Sequence, residues 1–289
     1  MYHNLVLSGG SLKGVAFVGC IKYLEEHNLL KSVNTFVGSS IGSIICFMAC
    51  CGMTSKEMLS VFVSELQRYD KEYEINIEHI LNIFNTLGFD NGAFFNTMFK
   101  RLLSKIFHDK DDITFIEFAK TTGKNLVICG SNITKHRCDY FCVDNTPDMS
   151  ILTALRISIS LPIIFTPVVY KNDVYVDAAL FNNFPIDYLD KGDKLIDTIG
   201  IHITNKQHKV DTSNLNLLSY MKLLVDSSFY KMNEKARGSN NVIVNITFDD
   251  EDAYNFNIET LKFKMDTQML KVYIEKGYQD IKHSFQQKP

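Results

Sequence analysis

Residues 37–43 read Val-Gly-Ser-Ser-Ile-Gly-Ser and place Ser40 between Gly38 and Gly42 in a Gly-x-Ser-x-Gly arrangement. An apolar strand pattern precedes it and an apolar helical pattern follows. Small flanking residues permit a tight strand-to-helix turn that lifts a hydroxyl above a sheet, with the positive end of a helix close by. Ser40 is therefore the candidate nucleophile for acyl transfer. A second glycine loop, Leu-Ser-Gly-Gly-Ser-Leu-Lys-Gly at 7–14, stands at another strand-to-helix junction. Backbone N–H groups converge at such loops, which suits a phosphate, a bare tight turn or a developing oxyanion. The spacing fits neither a P-loop nor Gly-x-Gly-x-x-Gly. Beside a serine nucleophile the loop reads as an oxyanion hole, drawn from Gly9, Gly10, Ser11 and Leu12.

A serine hydroxyl needs a base. The downstream histidines are His202 in an apolar strand, His208 in a polar turn and His283 near the end of a helix. Packed or solvated roles suit each of them, so a Ser-His-acid triad has little support. Asp177 ends the strand Val-Tyr-Val and is followed by Ala178 and Ala179, which leave room for another segment to approach. A carboxylate so placed can accept the Ser40 proton directly or through water, while its alternative role is a turn aspartate. The seven cysteines are scattered and odd in number, as free thiols would be. Cys138 and Cys142 lack a second pair at metal-binding spacing, so no metal and no cofactor is expected.

These residues need a scaffold, and the pattern supplies strands alternating with helices. Leu5–Leu7, a helix over Val15–His27 and Val33–Val37 form a βαβ unit, and a buried helix runs from Ser40 to Gly52. Residues 54–118 read as a helical insertion that either packs over the sheet or serves as a lid. Strands follow at 125–134 and 138–144, then a helix at 151–159 and a hairpin at 166–176. A strand at 197–204, a helix at 215–235, a strand at 241–247 and a helix at 258–285 complete the chain. The expectation is a three-layer α/β/α sandwich around a mostly parallel sheet. With 289 residues and no Pro-, Gly- or Ser-rich linker, one domain over 1–289 is expected. At 46% apolar residues, 22% charged and a net charge of −3, disorder and a nucleic-acid surface are both disfavoured. The first strand begins at Leu5, leaving no room for a secretory leader, and no apolar run spans a bilayer, so a cytoplasmic protein is expected.

Taken together the motifs resemble those of the patatin-like phospholipases. The loop at Gly9, Gly10, Lys13 and Gly14 is similar to the family's glycine-rich oxyanion loop with its basic residue. The Gly38-Ser-Ser40-Ile-Gly42 turn resembles its nucleophile motif, and Asp177-Ala178-Ala179 occupies the place of its Asp-Gly-Gly or Asp-Gly-Ala. Residues 155–168, 181–186 and 275–281 are also similar to family segments. The resemblance implies a metal-independent lipid acyl hydrolase with a Ser40–Asp177 dyad, acting on a phospholipid, a lysophospholipid or another glycerolipid, with peripheral membrane contact allowed. It specifies no oligomeric state. Two positions depart from the pattern: Ser11 replaces a third glycine, and Ala178 replaces the glycine after the aspartate. If either site needs positive φ, its Cβ strains the backbone. The rival reading is a weak or inactive module that keeps the fold and binds lipid or protein.

Overall fold

Strand β1 (Asn4–Leu7) sends Leu5 and Leu7 into one apolar cluster and Val6 into another on the opposite face, the period-two alternation of a strand covered on both sides. The computed structural model describes residues 1–74, 76–108, 110–189, 197–206, 220, 223, 242–249, 256–257, 262–263 and 265–287. After β1 a 3-10 segment (Ser11–Val15) continues into helix α1 (Ala16–Glu26), followed by β2 (Thr35–Gly38) and α2 (Ile41–Cys50). Helices α3 (Ser55–Glu72), α4 (Ile77–Leu81) and α5 (Ile83–Thr86) precede β3 (Gly88–Asp90), α6 (Ala93–Ile106) and α7 (Phe115–Thr122). Next come β4 (Asn125–Asn132), β5 (Arg137–Phe141), α8 (Ile151–Ser158), β6 (Ile163–Phe165), β7 (Val168–Tyr170) and β8 (Asp173–Val176). The rest comprises α9 (Ala179–Asn182), a 3-10 turn (Ile186–Leu189), β9 (Thr198–Asn205), β10 (Val242–Phe248), β11 (Phe256–Asn257), β12 (Lys262–Phe263) and α10 (Thr267–Gln286).

An eight-stranded sheet runs β10-β9-β1-β2-β4-β8-β7, with β5 also paired to β4. Strands β10, β9, β1, β2 and β4 are mutually parallel, as the βαβ pattern requires, while β5 and β8 join β4 antiparallel. The register places the site. Ile128 of β4 pairs with Gly38 of β2 on one side and Phe141 of β5 on the other, and Ser131 pairs with Cys138 of β5 and Val176 of β8. Strands β2 and β8 therefore share one edge of β4 and run toward each other, so their C-terminal ends meet head-on. Ser40 follows the first end and Asp177 the second. The larger apolar cluster, with Phe17, Ile45, Leu155 and Leu270, packs α1, α2, α8 and α10 on one face of the sheet. Val37, Val127 and Cys129 face Phe184 and Leu189 on the other.

The expected sandwich with a mostly parallel centre is what the chain forms. Two details differ from the sequence pattern. The last helix begins at Thr267, where the Asp266 side chain accepts the Met269 N–H at 2.7 Å, and not near Ile258, because Lys262–Phe263 pairs as a strand with Phe256–Asn257. Residues 54–118 are not wholly helical, since β3 pairs in parallel with β6. The helix expected at 215–235 lies outside the described residues. Capping boxes at Thr54/Glu57 and Thr114/Glu117 set the starts of α3 and α7. No helix among the described residues is long and apolar enough to cross a membrane.

Candidate active site

Ser40 stands between the end of β2 and the start of α2 at φ 51° and ψ −127°. L-residues rarely adopt this conformation, and it persists only where the surroundings impose it. Here the Ser39 N–H donates to the Leu7 carbonyl at 3.1 Å and the Gly42 N–H to the Ser39 carbonyl at 2.9 Å. The Ser43 hydroxyl donates to the Ser40 carbonyl at 2.6 Å, and the Ser40 N–H donates to Ser158 Oγ at 3.0 Å. Glycine at 42 is a steric requirement: a Cβ there would lie 2.5 Å from the carbonyl oxygens of both Leu7 and Ser8.

The Ser40 hydroxyl donates to Asp177 Oδ2 at 2.7 Å. The other carboxylate oxygen accepts the Ala179 N–H at 2.8 Å, and the Asp177 N–H donates to the Ser160 carbonyl at 2.8 Å. Asp177 is fully buried and Ser40 nearly so. Burial pushes the Asp177 carboxyl up from 3.8 to about 7, against the smaller opposing pull of the bonds from Ser40 and Ala179. A hydroxyl and a carboxyl at this distance, the latter balanced near neutrality, can exchange a proton without an intermediary. Among the described residues no histidine hydrogen-bonds to Ser40. His202 is buried in β9 and stacked on Phe184 with ring centroids 4.9 Å apart, His283 contacts Gln287 at the end of α10, and His208 lies outside the described residues.

The glycine loop borders the nucleophile: a Cβ on Gly9 would sit 3.2 Å from that of Ser40. Gly9, expected among the oxyanion donors, gives its N–H to the Asn183 carbonyl at 2.9 Å. Gly10 caps the 3-10 segment, and Ser11 and Leu12 form its first turn beside the nucleophile. Gly14 packs against Ile41, and buried Lys13 holds its ammonium 5.4 Å from the Phe248 ring centroid of β10, tying the loop to both neighbours.

The two departures from the glycine pattern have opposite outcomes. Ser11 sits at φ 48°, the left-handed region that favours glycine, whereas Ala178 sits at φ −57° with no such strain. Ser11→Gly is accordingly expected to raise ester turnover. Ala178→Gly is expected to leave turnover unchanged and to lower stability by about 0.4–1 kcal/mol through added chain entropy. Steady-state kinetics and thermal melts of the two variants check this.

Several positioning groups carry no recognisable local signal beyond their place in residues 155–168 and 181–186. Ser158 and Ser160 hold the backbones of Ser40 and Asp177, and Asn183 holds Gly9. Buried Arg156, whose pKa desolvation lowers to about 10, donates to the Asn91 carbonyl at 3.1 Å, to the Thr166 carbonyl at 3.3 Å and to the Ser160 hydroxyl. It thereby fastens the loop after β3 to the segment that carries Ser158 and Ser160. An apolar cavity of about 90 Å3 starts at Leu12 and Ile41 and is walled by Phe62, Phe95, Met98 and Phe263. Among the described residues no cluster of His, Cys, Asp and Glu is arranged to hold a metal ion.

A family model for patatin-like phospholipases matches residues 5–190. The probable lipid hydrolase 463L of Invertebrate iridescent virus 6 is 38% identical over 190 residues, covering 64% of this chain and 62% of that protein. This chain thus matches less than two thirds of that relative's length. The uncharacterized protein R571 of Acanthamoeba polyphaga mimivirus is 27% identical over 298 residues, covering 96% of this chain and 92% of that one. Among solved structures, VipD from Legionella pneumophila aligns with a TM-score of 0.55 at 16% identity, over 99% of this chain and 67% of that chain, a likeness of fold.

Proposed function

Because the chain belongs to the patatin-like phospholipase family, we propose that it is a lipid acyl hydrolase working through a Ser40–Asp177 dyad, of the phospholipase A or lysophospholipase type. The observation that carries this reading is the 2.7 Å bond from the Ser40 hydroxyl to the Asp177 carboxylate. The iridescent-virus relative described as a probable lipid hydrolase adds to it.

In this mechanism Asp177 takes the Ser40 proton as Oγ attacks the ester carbonyl. The oxyanion faces the amides of Gly10, Ser11 and Leu12, whose dipoles are fixed before the charge forms. Collapse of the tetrahedral species breaks the bond to the glycerol oxygen, which leaves with the proton held by Asp177. Water, deprotonated by Asp177, then attacks the acyl-enzyme and releases the fatty acid and free Ser40. Backbone dipoles carry the charge stabilisation, so no step needs a metal or cofactor. The acyl chain occupies the cavity beginning at Leu12 and Ile41, and residues 54–118 act as its cover within one catalytic unit. A cytoplasmic setting, with substrate met at a lipid surface, belongs to the same reading.

The strained Ser11 favours the rival reading of a weak or inactive module. Fluorophosphonate labelling with peptide mapping, run beside fatty-acid release from phosphatidylcholine and lysophosphatidylcholine in a chelator, tests the hydrolase. Labelling at Ser40 and chelator-insensitive release are expected. If neither labelling nor release of any fatty acid occurs, the module reading replaces the enzyme.

A further inference from the structure

Helices α4 and α5 turn large apolar side chains outward: Ile77, Leu81, Phe84 and Leu87 are 70%, 78%, 92% and 60% exposed. Ile77 and Leu81 lie one turn apart on α4, Phe84 lies on α5 beyond Asn82, and Leu87 follows α5 directly. Clustered exposed apolar side chains mark interaction surfaces, whereas scattered ones do not. Asn76 and His79 line a cavity of about 330 Å3 together with Asp90 and Phe94, and Phe94 also lines the apolar cavity bounded by Leu12 and Ile41. The segment that carries the apolar patch thus also lines a cavity that shares Phe94 with the one proposed for the acyl chain.

The surrounding charge selects the occupant. Exposed Glu74 and Glu78 flank Ile77 in the chain, Glu72 pairs with Arg68 at 3.4 Å, and residues 72–99 contain no lysine or arginine. Carboxylates at this level are repelled by anionic headgroups and complement the outer ammonium groups of choline lipids. We propose that Ile77, Leu81, Phe84 and Leu87 insert into a zwitterionic lipid surface and hold the adjoining acyl cavity against it. The purpose of this docking rests on the acyl-hydrolase reading, while the docking itself requires no turnover.

The chain contains no tryptophan, so Phe84→Trp supplies a single reporter. Its emission is expected to shift to the blue on adding phosphatidylcholine vesicles. In flotation, the Leu81→Asp/Phe84→Asp variant should bind those vesicles at least tenfold more weakly than wild type, with an unchanged melting temperature. Its hydrolysis of vesicle phosphatidylcholine should fall by a similar factor while hydrolysis of a water-soluble short-chain ester stays constant. Ser40→Ala should float like wild type, whereas wild-type flotation without any hydrolysis would remove the enzyme reading and leave the surface standing. Equal flotation of wild type and the double variant, preference for phosphatidylglycerol vesicles, or a dimer that the double variant abolishes would each overturn the proposal.

Discussion

Ser40→Ala is expected to lower ester turnover at least about 1,000-fold and to abolish fluorophosphonate labelling. The change removes the only atom that bonds Asp177 Oδ2 from this residue, yet it leaves the bonds that build the turn. Those bonds run through backbone groups: the Ser40 N–H to Ser158, the Ser40 carbonyl from Ser43 and the Ser39 N–H to Leu7. Alanine meets the same positive φ as serine, so the strain is unchanged and the melting temperature should stay close to that of wild type. Turnover near the wild-type level would move the nucleophile elsewhere, with buried Ser39 the nearest hydroxyl.

Asp177→Asn is expected to reduce turnover about 100- to 10,000-fold, since an amide keeps the shape and cannot take the proton. The wild-type pH profile carries the same information. With the carboxyl near 7, the ionised base accumulates only as pH rises, so kcat/KM should climb through neutrality and level off above it. Stability runs the other way. Between 3.8 and about 7 the folded state holds a proton that the unfolded chain has released, so stability falls as pH rises through that window. Asp177→Asn should abolish this fall and melt higher than wild type at pH 8. Changing His202 or His283 should leave the activity profile in place; a folded histidine variant without activity would revive a triad.

Much of the site was legible because its local chemistry is demanding. Only small residues pass the turn at Gly38 and Gly42, and an apolar run on each side marks where strand becomes helix. The alternation of strands and helices likewise announces a parallel sheet. What could not be read depends on register. Nothing local in Ser158 or Ser160 says that one will hold Ser40 and the other Asp177, because both contacts follow from the head-on meeting of β2 and β8 along β4. Gly9 looks like an oxyanion donor until the chain returns at Asn183 and takes its N–H. The helical pattern of the final helix continues upstream of Asp266, but there the pairing of β12 with β11 prevails over helical propensity.

The long sequence separation of the Ser40 contacts bears on the birth of the protein. Ser40 is 118 residues from Ser158 and 137 residues from Asp177. At typical elongation speeds of about 5–20 residues per second, a ribosome takes roughly 7–30 s to travel from the nucleophile to its base. Throughout that interval the growing chain displays a serine without its proton acceptor, and until Ser158 is added also without the hydroxyl that fixes its turn. In the dyad reading, a half-made molecule cannot cleave the lipids it meets, and hydrolytic competence arrives only when β8 is laid down beside β4.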